Sequence, residues 1–251
     1  MTRVALVIGG ASGIGAASAR LLATDGLTVA VADLALPAAA QVATSLDGNG
    51  HVGFAVDIAN AESIAALFDA AENLLGPVSV VVISAGTNGY VDGKRPTLRQ
   101  TSLESWNRVQ AINATGPFLV IGEMLRRREA LPVQHGRIIL IASMSSQNAA
   151  VNSPASYIAS KGAVTALTKA AAGEGAQFGL TVNAVAPGAI DTPMLRAVMP
   201  PERDAAYFST TVAGRAGSPH EIAAAVAFLA SPGASYVNGA CIDVNGGMLM
   251  R

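Results

Sequence analysis

Short apolar runs recur along the chain, and the segments between them carry apolar residues at helical spacing. Val4–Ile8, Thr28–Ala32, Val52–Val56 and Val78–Ile83 read as strands, and Val78–Ile83 has the unbroken apolar character of a parallel strand covered on both faces. Between them, Ile14–Thr24 predicts a helix and Pro37 suits the first turn of another. In Ala61–Leu75 the residues Ile64, Leu67, Phe68, Ala71 and Leu75 fall on one helical face, and Gly76-Pro77 ends it.

The second half repeats the alternation. A helix is expected over Leu103–Arg128, a strand over Arg137–Ala142, a helix over about Ser156–Phe178, a strand over Thr181–Val185, a helix over Pro219–Ala230 and a last strand over Ala240–Val244. Seven strands alternating with six helices predict an α/β fold: one doubly wound, open parallel sheet flanked by helices on both faces. No linker or repeat interrupts the series, so residues 1–251 are expected to form a single domain. One stretch departs from the rhythm. Ile190 to Ser218, with Pro193, Pro200 and Pro201, is too long for a simple connection and is expected to be a lid or binding loop.

The turn after the first strand reads Gly9-Gly10-Ala11-Ser12-Gly13-Ile14-Gly15. Glycines there let the backbone turn tightly and approach a pyrophosphate, whose charge meets a helix N-terminus. Asp33 ends the second strand, eighteen residues after Gly15, where a carboxylate can accept hydrogen bonds from adenosine ribose hydroxyls and repel a 2′-phosphate. Neither Ser12 nor Leu34 is basic, which removes the obvious partners of such a phosphate. Tyr157-Ile158-Ala159-Ser160-Lys161 places a phenol and an ammonium one helical turn apart. An ammonium beside a phenol stabilises the phenolate and is expected to draw its pKa towards the working range of an acid–base group.

Composition narrows the picture. With 51% hydrophobic and 13% charged residues, 26 glycines and a net charge of −1, the chain suits a buried sheet and lacks the basic excess of a nucleic-acid binder. The cluster Arg126-Arg127-Arg128 is expected to cap a helix C-terminus. Cys241 has no partner for an internal disulfide and sits in an apolar stretch, so a core role is expected. His51, His135 and His220 have no metal-site spacing, and no metal is expected. No membrane span and no signal peptide are apparent, which makes a cytoplasmic location the expectation.

Gly9-x3-Gly13-x-Gly15, Asp33, Asp57, Ser143, Tyr157-x3-Lys161 and Pro187-Gly188 stand in an order and spacing that resembles the single-domain short-chain dehydrogenase/reductase family over nearly the whole chain. The resemblance implies a Rossmann-like domain that transfers a hydride between NAD and an alcohol or ketone. It implies Tyr157 as general acid/base and Lys161 as the cation that tunes it and holds the nicotinamide ribose. Ser143 would hydrogen-bond the substrate oxygen, and Asn113 would hold a water linking Lys161 to solvent. Gly9, Ser12, Gly13, Ile14, Gly15, Asp33, Asp57, Ile58, Ala85 and Gly86 would line the cofactor, and Pro187, Gly188, Ile190 and Thr192 would face its carboxamide end.

Three departures accompany the resemblance. Ile8 and Ile83-Ser84 stand where the family often has threonine and Asn-Asn, so the bracing under the cofactor must differ. Ser143 precedes Tyr157 by fourteen residues rather than thirteen, and the loop is expected to bulge. The rival readings are an NADPH-dependent 3-oxoacyl thioester reductase, which Asp33 opposes, and a non-catalytic nucleotide sensor, which the intact Ser143, Tyr157 and Lys161 oppose.

The substrate is expected to be small and oxygen-rich: a polyol, a sugar or a hydroxy acid. Met144-Ser145-Ser146-Gln147-Asn148 and Asn152-Ser153 offer polar groups near the site, and Lys94, Arg95 and Arg99 offer cations for a carboxylate. Met194, Leu195, Met199, Tyr207 and Phe208 pull towards an apolar substrate. The family resemblance and the apolar end Met248-Leu249-Met250 suggest a homotetramer.

Overall fold

The computed structural model describes residues 2–148, 153–209 and 211–250. Its centre is a seven-stranded parallel sheet: β1 (Val4–Ile8), β2 (Thr28–Asp33), β3 (Val52–Ala55), β4 (Val78–Ile83), β5 (Gly136–Ile141), β6 (Leu180–Pro187) and β7 (Cys241–Val244). The strands lie in the order β3-β2-β1-β4-β5-β6-β7, all in parallel register. From β1 the chain winds outwards in one direction to β3 and then in the other from β4 to β7. A crevice opens at the carboxyl ends of the strands where that direction reverses.

The helices are α1 (Gly13–Thr24), α2 (Leu36–Thr44), α3 (Ala61–Leu75), α4 (Leu103–Gln110), α5 (Gly116–Ala130), α6 (Ala155–Gly175), α7 (Pro193–Arg196), α8 (Asp204–Phe208) and α9 (Pro219–Ala230). Alternate residues of each central strand enter two separate cores. Leu6, Val81 and Leu140 pack with Phe68 of α3, Met124 of α5 and Val164 of α6. Val7, Val82 and Ile139 pack on the opposite face with Leu22 of α1, Val42 of α2 and Ile222 of α9. Covering both faces is what makes the strand sequences predominantly apolar, with a few buried polar residues such as Ser79, Arg137 and Asn183. Among the described residues no helix is long and apolar enough to cross a membrane.

The helix expected over Leu103–Arg128 is two helices joined by a π turn, Ala111–Thr115. Pro117 explains the break. It has no N–H for the Asn113 carbonyl four residues earlier, and its ring would collide with that carbonyl in a regular α-helix. The turn widens instead, and Gly116 N–H donates to Ala111 O, five residues back.

The arginine cluster does more than cap α5. Arg128 is only 1% exposed, bonds Glu72 and donates to Val78 O; Arg127 bonds Asp69, Glu72 and Glu123. These pairs fasten α5 to α3. Cys241 is half-buried and packs against the first core.

The stretch from Ile190 to Ser218 holds α7, a 3-10 turn at Pro201–Arg203 and α8, so it is folded rather than structureless. A parallel bridge between Ile190 and Gly217 pins its two ends together.

Candidate active site

The glycine turn sits where β1, β2 and β4 end. Gly9 and Gly10 N–H both donate to Ala32 O, at 2.8 and 3.0 Å. A Cβ on Gly9 would lie 2.3 Å from the Ala85 nitrogen, and one on Gly15 would lie 2.0 Å from Gly9 O. Any side chain at either position would push α1 or the end of β4 away, so glycine is required by close approach. The departures at Ile8 and Ile83-Ser84 are met by the backbone: Ser84 and Ala85 N–H both donate to Ile8 O, at 2.8 and 3.0 Å.

Asp33 closes β2 beside this turn, and its Oδ2 accepts a hydrogen bond from Ala11 N–H at 3.1 Å. Its carboxylate is therefore fixed on the rim, next to the exposed Leu34. Asp57 is held by a turn in which its Oδ1 accepts from Ala59 N–H at 2.9 Å.

Helix α6 carries Tyr157 and Lys161 on one face, and Ser143 stands just beyond β5 opposite them. Lys161 Nζ donates to Ile141 O at 2.7 Å and lies 5.8 Å from the centre of the Tyr157 ring. Burial draws the Lys161 ammonium down to about 8 from its ordinary 10.5. The Tyr157 phenol is raised, because burial penalises the phenolate more than its hydrogen bond with Ser143 favours it. The expected depression of the phenol by Lys161 is thus not what this arrangement produces. The ammonium is turned to a backbone carbonyl, and desolvation governs both groups.

Asn113 lies in the π turn and is buried. Its Nδ2 donates to Thr87 O at 2.8 Å and to Ser160 Oγ at 3.0 Å, and its Oδ1 accepts from Thr87 N–H at 2.8 Å. The side chain is fully engaged in joining the end of β4 to α6. Pro117 supplies no N–H to the backbone carbonyl of Asn113 four residues earlier, so that carbonyl lacks its ordinary α-helical donor.

One cavity of about 1050 Å³ connects these parts. Gly9, Ser12, Gly13, Ile14, Asp33, Asp57, Ile58, Ala85, Gly86, Ser143, Tyr157, Lys161, Pro187, Gly188, Ile190 and Thr192 all line it. Gly15 and Asn113 support the wall from behind. Thr192 caps α7, accepting from Leu195 N–H at 3.3 Å, and a Cβ on Gly13 would meet its Cγ2 at 3.2 Å, so the excursion rests on the glycine turn.

The polar segment after Ser143 contributes less than expected. Ser145 and Ser153 line the cavity and bond each other at 3.2 Å. Ser146 turns back to Ser143 O, Gln147 reaches Asp243, and neither lines the cavity; nor does Asn148. Asn152, and with it part of the loop expected to bulge, lies outside the described residues. Of the cations in the loop after β4, Arg95 lines the cavity and Lys94 and Arg99 do not. Sequence reading missed Tyr90, Asn88 and Arg203, all in the wall. The spacing Arg203-x3-Tyr207 was the available clue to the last.

The family model described as enoyl-(acyl carrier protein) reductase matches residues 9–249. The chain is similar to a cis-4-hydroxycyclohexanecarboxylate dehydrogenase of Sinomonas cyclohexanicum, 41% identical over 98% of this chain and 96% of that one. A D-threitol dehydrogenase of Mycolicibacterium smegmatis is 35% identical over 99% of this chain and 94% of its own length. A 3-oxoacyl-[acyl-carrier-protein] reductase of Vibrio cholerae is 38% identical over 99% and 98% respectively.

Proposed function

The chain belongs to the short-chain dehydrogenase/reductase family, and from that premise we propose that it is an NAD(H)-dependent oxidoreductase interconverting a secondary alcohol and a ketone. The observation that carries the reading is the convergence of Ser143, Tyr157 and Lys161 on one wall of a cavity whose far rim holds the fixed carboxylate of Asp33. Nicotinamide cofactors serve the family, and the residues present fit one: a side-chain-free cradle at Gly9 and Gly13, a ribose-accepting carboxylate and an enclosed cation. The cavity exceeds the ~300–1000 Å³ of a single drug-sized ligand, which leaves room for a small substrate beside an extended cofactor.

A nicotinamide cofactor, held at the glycine turn, Asp33 and Lys161, would supply or accept the hydride when bound. Ser143 and Tyr157 clamp the reacting oxygen by hydrogen bonds, and Tyr157 receives the alcohol proton or returns it to the ketone. Lys161 keeps a positive charge within reach of the phenol while that proton moves, and it holds the nicotinamide ribose. Burial of the pair excludes water and fixes the geometry, which supplies much of the rate.

The thioester reductase reading is favoured by the family description and by the Vibrio relative. Asp33, with the apolar Leu34 beside it, opposes a 2′-phosphate and favours NAD(H). kcat/KM with both cofactors decides: higher efficiency with NADPH overturns the NAD assignment, and absence of turnover with every alcohol and ketone would restore the nucleotide-sensor reading. For the substrate, the reading is a hydroxy acid or a polyol. The Sinomonas relative's name supports the first and the Mycolicibacterium relative's name the second. A homotetramer remains part of the proposal. Met250 is exposed at the chain's end while Met248 lines the cavity, and a monomeric mass by light scattering would refute assembly.

A further inference from the structure

Charge around the cavity is segregated. Its carboxylates, among the described residues, are Asp33 and Asp57, both at the end assigned to adenosine. Its cations are Lys161, Arg95 and Arg203. Lys161 belongs to the reacting centre. The other two do not, and neither forms an ion pair among the described residues. Their neighbours do: Arg196 is held by Asp191 and Asp204, and Arg215 by Glu221. Two arginines in the cavity wall are thus left with no acidic partner among the described residues.

Their supports are built. Val91 and Lys94 exchange backbone hydrogen bonds at 3.1 and 2.9 Å around Asp92 and Gly93, both in the left-handed region, which is the tight turn of a hairpin. Arg95 leaves directly from that turn. The same loop lies against the start of α6, since a Cβ on Gly89 would meet Ser156 Oγ at 2.9 Å, one residue from Tyr157. Tyr90, next in the loop, feels both Arg95 and Tyr207. Arg203 ends the 3-10 turn that leads into α8, and Tyr207 lies in α8 four residues on. Arg95, Tyr90, Tyr207 and Arg203 all line the one cavity, the first two from the loop after β4 and the last two from the Ile190–Ser218 excursion. Met144, Met194, Leu195 and Met199 line the same compartment as apolar wall.

We propose that Arg95 and Arg203 together bind the carboxylate of the substrate, and that the substrate is a monocarboxylate with an apolar body bearing the reacting hydroxyl. This deepens the dehydrogenase reading and rests on it. The hydroxyl meets Ser143 and Tyr157, the methionine and leucine side chains cover the apolar body, and the carboxylate meets planar donors suited to bidentate hydrogen bonds. A polyol leaves both guanidinium groups without an anion and sets hydroxyls against methionines.

The test uses the full chain loaded with NADH and titrates cyclohexanecarboxylate, which has no reacting hydroxyl, and cyclohexanecarboxamide by calorimetry. The carboxylate is expected to bind at least tenfold more tightly, and Arg95→Gln or Arg203→Gln to erase most of that ratio. Lys94→Gln and Arg99→Gln, outside the cavity, are expected to keep it. In parallel, NAD+ reduction is followed with 4-hydroxycyclohexanecarboxylate, its carboxamide and cyclohexanol. Preferred binding of the carboxylate without turnover of any alcohol upholds the arginine site and defeats the dehydrogenase reading. Turnover of acid and amide with equal kcat/KM, equal binding of the two inert ligands, or loss of the ratio in the Lys94 and Arg99 variants as well, overturns the arginine site and leaves the dehydrogenase reading standing.

Discussion

The two ends of the cavity are constructed on different principles. At the end assigned to the cofactor, the wall is backbone: glycine amides bonded to Ala32 O, the Ser84 and Ala85 amides bonded to Ile8 O, and a carboxylate locked by Ala11 N–H. Each part is the terminus of a buried strand. At the substrate end the wall is side chain, presented by a hairpin turn and two short helices that stand outside the sheet. The first end tolerates almost no change because its contacts are made by the main chain. The second accepts new side chains readily, so it is where relatives of one fold acquire different substrates.

Substitutions sharpen that contrast. The largest effect is expected at the reacting centre between the two ends. Tyr157→Phe removes only the hydroxyl and should lower kcat by about 10²–10⁴-fold, with NADH affinity by fluorescence titration unchanged within error. Residual kcat within tenfold of wild type would remove Tyr157 from the proton step.

Lys161→Met is expected to separate function from stability. The folded pKa of about 8 lies below the ordinary 10.5, so between those pH values the unfolded chain binds more protons and wild-type stability rises with pH. Below pH 8 the buried ammonium costs about 3 kcal/mol, of which losing the Ile141 bond returns about 1. The variant should lose turnover and NADH affinity. It should also be about 2 kcal/mol more stable at pH 7 by urea denaturation, with the advantage shrinking from pH 8 towards 10.5. Lower stability at pH 7 would show that the ammonium is better solvated than its surroundings suggest.

Asp33→Ala tests the backbone-built end through the carboxylate fixed by Ala11 N–H. The ratio of kcat/KM for NAD over NADP should fall roughly ten- to a hundredfold, the range of a hydrogen bond to a charged group. An unchanged ratio would make Asp33 a turn residue alone. The smallest effect is expected at the hairpin. Gly93→Ala places a side chain at φ +69, costs about 1–2 kcal/mol of local order and should raise KM for a carboxylate substrate a few-fold without altering kcat. An effect on kcat instead would tie this turn to the chemistry.

The same contrast explains what could be read from the chain. The sheet was legible because Val4–Ile8 and Val78–Ile83 are buried on both faces, short, rich in valine and isoleucine, and bounded by glycine or proline. Gly9, Asp33, Tyr157 and Lys161 were legible because their spacing is fixed by a strand end or a helical turn. The π turn was not, because Pro117 marks a disturbance at its own position, while the widened turn lies before it at Ala111–Thr115. Gln147 and Asn148 were expected in the cavity for their polarity, but a short 3-10 turn at Met144–Ser146 aims them elsewhere. Arg203 was overlooked because only tertiary packing brings the 3-10 turn at Pro201–Arg203 to the site; the local sequence marks it as one more exposed charge.

The bridge between Ile190 and Gly217 carries a consequence of its own. It joins the two ends of the excursion at the sheet, so the span between them is a cassette with a fixed socket. The entropy of closing such a loop grows only logarithmically with its length. Segments of other lengths and chemistries can therefore be spliced between those two residues at modest cost in stability. An exchange of the part of this cassette beyond Thr192, which rests on the glycine turn, is the direct route to retargeting the site while Ser143, Tyr157 and Lys161 stay untouched.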